Sequence, residues 1–288
     1  MAVKFFGQFL VEQGIVTSDA LLSAINLQDR NNLKFGEMAV AMGLITPTDI
    51  QRAHNAQMSR DMRLGDLLVE MGLLTLDQMN DIVTRQNNTH MYIGEALVQV
   101  GALTPEGLQK QLDAFKADQA GYVSNSIELP AASAGNSIWE MTADLTHKMI
   151  TRVLGLQFRP GKCTVATAIP SNFMLAAIDL NGDVEARYLI SVSEDLQKSI
   201  ARAILSETSV DHEPPEVLED TVMEFANVVC GNIAAKASQM GVIITINPPV
   251  SIRPPANGLP IPDGRTALSF PIHIVGGDVM EMILLIKK

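Results

Sequence analysis

Residues 216–241 read EVLEDTVMEFANVVCGNIAAKASQMG. At about 100° per residue, Leu218, Val222, Phe225, Val229 and Ile233 fall on one face of a helix. Asp220, Glu224, Asn227 and Gly231 fall nearly opposite. That side offers carboxylates, a carboxamide and a bare glycine. Glu and Asn three residues apart on a helix can point at one partner. A glycine in mid-helix costs about 1 kcal/mol against alanine, and close approach by another surface is one reason to keep it. The same residues also fit a plain solvated face.

The elements that must position this helix follow from the flanking text. Ile138, Met141, Leu145, Met149 and Val153 fit one face of an earlier helix. Strand-like runs lie near 162–169, 173–179 and 184–192, and Asn181-Gly182 is a hairpin signal between the last two. Ser193 with Glu194 and Asp195 caps a helix that turns Leu196, Ile200 and Ile204 inward. Strands follow near 242–246, at Ser251, and over 266–275 and 278–286, with Gly276-Gly277 turning the last pair. Pro271 cannot donate to a ladder, so its strand is expected at an edge or a bulge. The pattern predicts an α+β domain, helices packed on an antiparallel sheet, over residues 137–288.

The series Asp220, Glu224, Asn227 resembles the D-x3-E-x2-N motif of the CheC/CheX/FliY family of chemotaxis phosphatases, and residues 224–241 are similar to that family's helix beyond those three letters. Pro248 and Pro249 lie close to the spacing at which the family has a proline. The resemblance covers about residues 137–288. It implies hydrolysis of the aspartyl phosphate on a CheY-type receiver domain, with no cofactor of the chain's own and Mg²⁺ supplied by the phosphorylated partner. Asn227 would orient the attacking water, Glu224 would pair with the receiver's lysine, and Asp220 would orient or solvate the helix. The first helix has Glu140 followed by Ala143, not a second E-x2-N, so the chain resembles the single-site, CheX-like type. That type is often a homodimer, with which an edge strand at Pro271 is compatible.

The first 115 residues repeat at a period of 29. Gly7, Gly36, Gly65 and Gly94 form one series, Gly14, Gly43, Gly72 and Gly101 a second, and Thr17, Thr46, Thr75 and Thr104 a third. Gln28, Gln57 and Gln86 continue, with Phe115 in the fourth slot. Such a period signals stacked supersecondary units. Each unit is expected to be a short helix ended by glycine, then a second helix capped by threonine. Pro47 and Pro105 suit the first position of two of these helices. The second helix would bury Leu21, Ile50, Met79 and Leu108, with Ile25, Val83 and Leu112 four residues on. His54 takes that later slot in unit two, as a hydrogen-bonded interior histidine or a ligand contact.

The text RLGDLLVEMGLLTLDQMNDIVTRQ, residues 63–86, resembles the N-terminal domain of MshE-type and type II secretion ATPases. That resemblance implies cyclic di-GMP bound by paired motifs: Arg63, Leu64, Gly65 and Gln86 in unit three, and Lys34, Gly36 and Gln57 in unit two. Unit one has Phe5, and unit four has Tyr92 and Phe115, at polar slots of the motif. Caps and turns account for every Gly and Thr without a ligand, and a Gln near a helix end can simply be solvated. A protein-interaction module therefore stands beside the ligand reading. No G-x4-G-K-[ST] sequence occurs, so the secretion ATPase engine is absent.

The organisation expected is a helical repeat domain over 1–118, a linker over 119–136 and the α+β domain over 137–288. The chain has 288 residues, a net charge of −11 and 47% apolar residues. Ample apolar content argues against disorder, and the acid excess argues against nucleic acid as a partner. The first residues lack a signal-peptide pattern, no run is long and apolar enough to span a bilayer, and two cysteines make no disulfide framework. A cytoplasmic protein is expected. Its five histidines show no metal-ligand spacing. Two functions from different classes follow. One is a receiver phosphatase whose N-terminal repeats sense a ligand or dock a partner; the other is a non-catalytic signalling adapter.

Overall fold

A computed structural model of the chain describes residues 4–119, 128–130, 137–170 and 172–287. The chain divides into two units, Met1–Gly121 and Tyr122–Lys288. Most of the expected linker, residues 120–127 and 131–136, lies outside the described residues. Among the described residues no helix is long and apolar enough to cross a membrane.

The first unit is helical. It runs α1 (Phe6–Glu12), α2 (Ser18–Asn31), α3 (Phe35–Ala41), α4 (Pro47–Gln57), α5 (Leu64–Glu70), α6 (Leu76–Thr89), α7 (Ile93–Gln99) and α8 (Pro105–Gln119). The short helices end at glycine. Gly72, for example, sits at φ +70°, a conformation that costs a side chain bearing Cβ. Thr75 then caps α6: its Oγ1 accepts from Gln78 N at 3.2 Å, and Gln78 Oε1 accepts from Thr75 N at 2.8 Å.

These helices make two cores. Phe6, Phe9, Leu10 and Ala24 join Ala96, Leu97 and Phe115 in one. Met38, Ala39 and Ala53 join Leu67, Leu68 and Ile82 in the other. The helix pairs therefore associate first with fourth and second with third. Glutamines stitch both. Gln57 Nε2 donates to Met62 O at 2.9 Å and Gln86 Nε2 to Leu33 O at 2.9 Å, while Gln28 Nε2 donates to Met91 O at 3.0 Å.

Two expectations fail here. His54 is exposed, not interior. The fully buried positions on the second helices are Ala24, Ala53 and Ile82, while Val83 is 40% exposed. Positions i+3 and i+4 both neighbour position i on a helix, and the partner helices lie on the i+3 side.

The second unit is α+β. Its helices are α9 (Ser137–Val153), α10 (Glu194–Leu205) and α11 (Pro215–Gln239). Its strands are β1 (Phe158–Pro160), β2 (Thr164–Ala166), β3 (Ala168–Ile169), β4 (Met174–Gly182), β5 (Ala186–Val192), β6 (Ile244–Ile246), β7 (Val250–Ile252), β8 (Leu259–Pro260), β9 (Arg265–Ile274) and β10 (Val279–Lys287). The main sheet has the order β1-β9-β10-β5-β4-β6, with β2 on β9 and β7 on β4. All its pairings are antiparallel. Alternate residues such as Ile178, Tyr188, Phe270 and Met282 meet the three helices. Leu175, Leu189, Ile283 and Leu285 form a second core on the other face with Ile169. Burial on both faces explains why β4 and β10 are apolar almost throughout. Tyr188 is fully buried, its hydroxyl 3.1 Å from Thr146 Oγ1.

Three details differ from expectation. Asn181-Gly182 does not turn the β4–β5 hairpin. Leu180 is the last β4 residue paired with Ala186, whereas Asn181 and Gly182 go on to pair with Thr245 and Ile244 of β6. Gly182, at φ +122°, allows that strand to pass so close to Ile243 O that a Cβ would lie 2.4 Å from it. Second, the run 162–169 is broken into β2 and β3. Third, of the edge and the bulge expected at Pro271, the edge fails: Pro271 is in β9, inside the edge formed by β1 and β2, and residues 161–163 bulge opposite residues 270–271. Its missing N–H is tolerated because the outer partner is interrupted there: only Gly161, between β1 and β2, bonds Pro271 O, at 2.8 Å. The edge-strand argument for a homodimer therefore falls away.

Candidate functional site

Helix α11 starts on Pro214 and Pro215, where an absent N–H is harmless, and stops before Gly241, at φ +79°. Its inward face is Leu218, Val222, Phe225, Val229 and Ile233, all at most 8% exposed. Burial of that face against α9, α10 and β4 fixes the opposite side outward. Asp220 and Glu224 are exposed and Asn227 is half-buried. Among the described residues none of the three has a side-chain hydrogen bond or ion pair. The carboxylate of Glu224 and the carboxamide of Asn227 are thus presented together, about 60° apart around the helix, with their hydrogen-bonding capacity unspent. Gly231 follows on the same side. Ala143 of α9 is fully buried, so the exposed surface of α9 offers no second group at that position.

A lateral tie holds the first half of α11. Glu219 is ion-paired with Arg253 and accepts from Ser251 Oγ at 3.0 Å. The Arg253 guanidinium beside it holds the Glu219 carboxyl below its usual range. Arg253 also lies 4.4 Å from the centroid of the Phe173 ring. This tie joins α11 to β7, and β7 to β4. Glu219 lies in the second turn of α11. No local spacing links it to a residue 34 positions later. Pro248 and Pro249 separate β6 from β7 along the β4 edge, and Asn247 N bridges the gap to Asp179 O at 3.1 Å. Elsewhere, Glu207, His212 and Glu213 bring three donor atoms within 4.8 Å of one another on the surface. Cys163 and Cys230 are buried free thiols, and burial pushes the Cys163 thiol up to about 12.

In the first unit, the structure brings Lys34, Gly36, Gln57, Arg63, Leu64, Gly65 and Gln86 into one pair of helix–turn–helix units. Lys34 and Arg63 are exposed at the N-termini of α3 and α5. Gly36 and Gly65 are buried at helix contacts: a Cβ on Gly65 would lie 3.1 Å from both Met79 Cγ and Phe35 Cζ. Gln57 and Gln86 are not merely solvated, because each spends its amide N–H on the backbone of the neighbouring unit.

The second unit is thus an antiparallel α+β domain presenting E-x2-N from its longest helix. Residues 174–273, which contain that helix, match the family model described as chemotaxis phosphatase CheX. The match supports a CheX-like domain in this unit. Similar solved structures include a chemotaxis protein CheX from Desulfovibrio desulfuricans, 17% identical, covering 52% of this chain and 99% of that one at a TM-score of 0.46. A CheX–CheY–BeF3–Mg complex from Borrelia burgdorferi is 21% identical, covering 52% and 98% at 0.45. A CheC-like superfamily protein from Shewanella sp. PV-4 is 18% identical, covering 54% and 99% at 0.46. Among curated proteins none matches this chain.

Proposed function

We propose that the protein hydrolyses the aspartyl phosphate of a CheY-type receiver domain in chemotaxis or two-component signalling. The observation that carries this reading is the pair of exposed Glu224 and half-buried Asn227, both without a side-chain partner among the described residues, inside a segment that matches the CheX model. Asn227 inserts its carboxamide beside the phosphoryl group and holds a water for in-line attack. Glu224 forms an ion pair with a lysine of the receiver and so fixes the angle of entry. Asp220, one turn earlier, orients the helix against the partner. The receiver's own Mg²⁺ neutralises phosphoryl oxygens. Positioning and electrostatics suffice for such a transfer, which suits a site with no nucleophile of its own.

A finer part of the proposal concerns input. Arg63 and Lys34, exposed at facing units, supply the cations for cyclic di-GMP, while Gln57 and Gln86 hold those units in place rather than read a base. Titrating a fluorescent cyclic di-GMP against wild type and Arg63→Ala tests this; equal affinity in both would remove it.

The main reading is tested by phosphate release from a panel of acyl-phosphorylated receivers, with wild type against Glu224→Ala. Acceleration that the variant loses supports it. Binding to a receiver with no acceleration would assign the protein as a non-catalytic adapter instead.

A further inference from the structure

Gly231 lies inside the 25-residue helix α11. It follows Glu224 by seven residues and Asn227 by four. At about 100° per residue it points within roughly 20° of Glu224 and 40° of Asn227. Among the described residues, no atom lies within 4 Å of where its Cβ would sit. Other glycines of the chain have a reason to be glycine: Gly65 and Gly182 would drive a Cβ into neighbours, and Gly182 also has positive φ. Gly231 has neither constraint, and helix propensity disfavours it. Ala234 and Ala235, one turn on, add only methyl groups to this side. Nothing inside the described fold requires a bare backbone at 231, so the requirement is external.

Glu and Asn are short side chains. For both to touch groups set into another protein's surface, the helix backbone itself must come down onto that surface. We infer that Gly231 is the clearance point at which the receiver lies against α11, and that its missing side chain sets how far Asn227 reaches toward the phosphoryl group. This rests on the receiver-phosphatase reading. A side chain longer than asparagine at 231 meets the receiver first and holds Asn227 back, and a misplacement of about 1 Å can cost ~10²-fold in rate. Gly231 is a positioning residue: it touches no reacting atom.

The test compares wild type, Gly231→Ala and Gly231→Gln by phosphate release over a range of receiver concentration, and by thermal melting. Both variants are expected to melt at or above the wild-type temperature. Gly231→Gln should lose about 10²-fold in kcat/KM, with Gly231→Ala between it and wild type. Binding of the beryllofluoride-activated receiver should weaken in the same order. A glutamine variant with wild-type rate overturns the inference. So does one that loses rate and melting temperature together, which would make Gly231 a requirement of the fold. If wild type accelerates no receiver, the phosphatase reading itself fails, and that result needs no variant.

Discussion

Gln57 separates a structural role from a ligand-reading one. It is 4% exposed, and its Nε2 donates to Met62 O at 2.9 Å, just ahead of Arg63. Gln57→Leu keeps the bulk of the side chain and removes the donor. The Met62 carbonyl left behind, on a half-buried residue, loses its partner, and an unpaired acceptor costs about 1–3 kcal/mol when water cannot reach it. The leucine returns part of that through apolar burial, so a net loss of about 1–2 kcal/mol is expected. For a unit of this size, ~4 °C per kcal/mol gives a fall of about 4–8 °C in the melting of the first unit. Gln86 makes the matching bond to Leu33 O but is only half-buried. Water can replace its amide, and Gln86→Leu should cost about half as much. Differential scanning calorimetry of the full chain, without nucleotide, reads both. A Gln57→Leu protein that melts as wild type would refute the structural role and return Gln57 to the ligand reading.

Gly182→Ala should destabilise the second unit by about 1–3 kcal/mol, because its Cβ would meet Ile243 O at 2.4 Å and its φ is +122°; urea unfolding measures it, and a midpoint equal to wild type would contradict the close β4–β6 approach. Asp179 accepts two hydrogen bonds from the Arg187 guanidinium, of 2.7 and 2.8 Å, which hold its carboxyl below the usual range. Its contribution is present above the ordinary carboxylate pKa near ~4 and fades as pH falls through the lowered value. The difference in melting between wild type and Asp179→Asn should therefore shrink as pH falls from neutrality to below ~3, and a difference that grows on acidification would show the pair is not what links this strand to pH.

Local rules carried much of this chain. The apolar face of α11 follows from the spacing of Leu218, Val222, Phe225, Val229 and Ile233, and the outward placing of Asp220, Glu224 and Asn227 follows as its complement. Thr75 and Ser193 announce their helices by side-chain caps that span three residues. What was illegible depends on distant partners. Nothing near Gln28 says that its amide will meet Met91, 63 residues on, so the association of the first helix pair with the fourth was hidden. Asn181-Gly182 carries the dipeptide of a tight hairpin, yet β6 recruits it into a ladder. Pro271 reads as an edge or bulge residue, and the interruption lies in its neighbour around Gly161 and not at the edge of the sheet. The Arg253–Glu219 tie beside the candidate site joins a loop to a helix with no sequence period at all.

The central claim rests on one side chain. Phosphate release should be followed from an acyl-phosphorylated receiver with wild type and with Asn227→Ala, which keeps α11 intact because Asn227 makes no side-chain bond among the described residues. Loss of a group that orients the attacking water should cost about 10²-fold or more in kcat, while binding of the receiver through Glu224 persists. An Asn227→Ala protein that releases phosphate as fast as wild type would contradict the account.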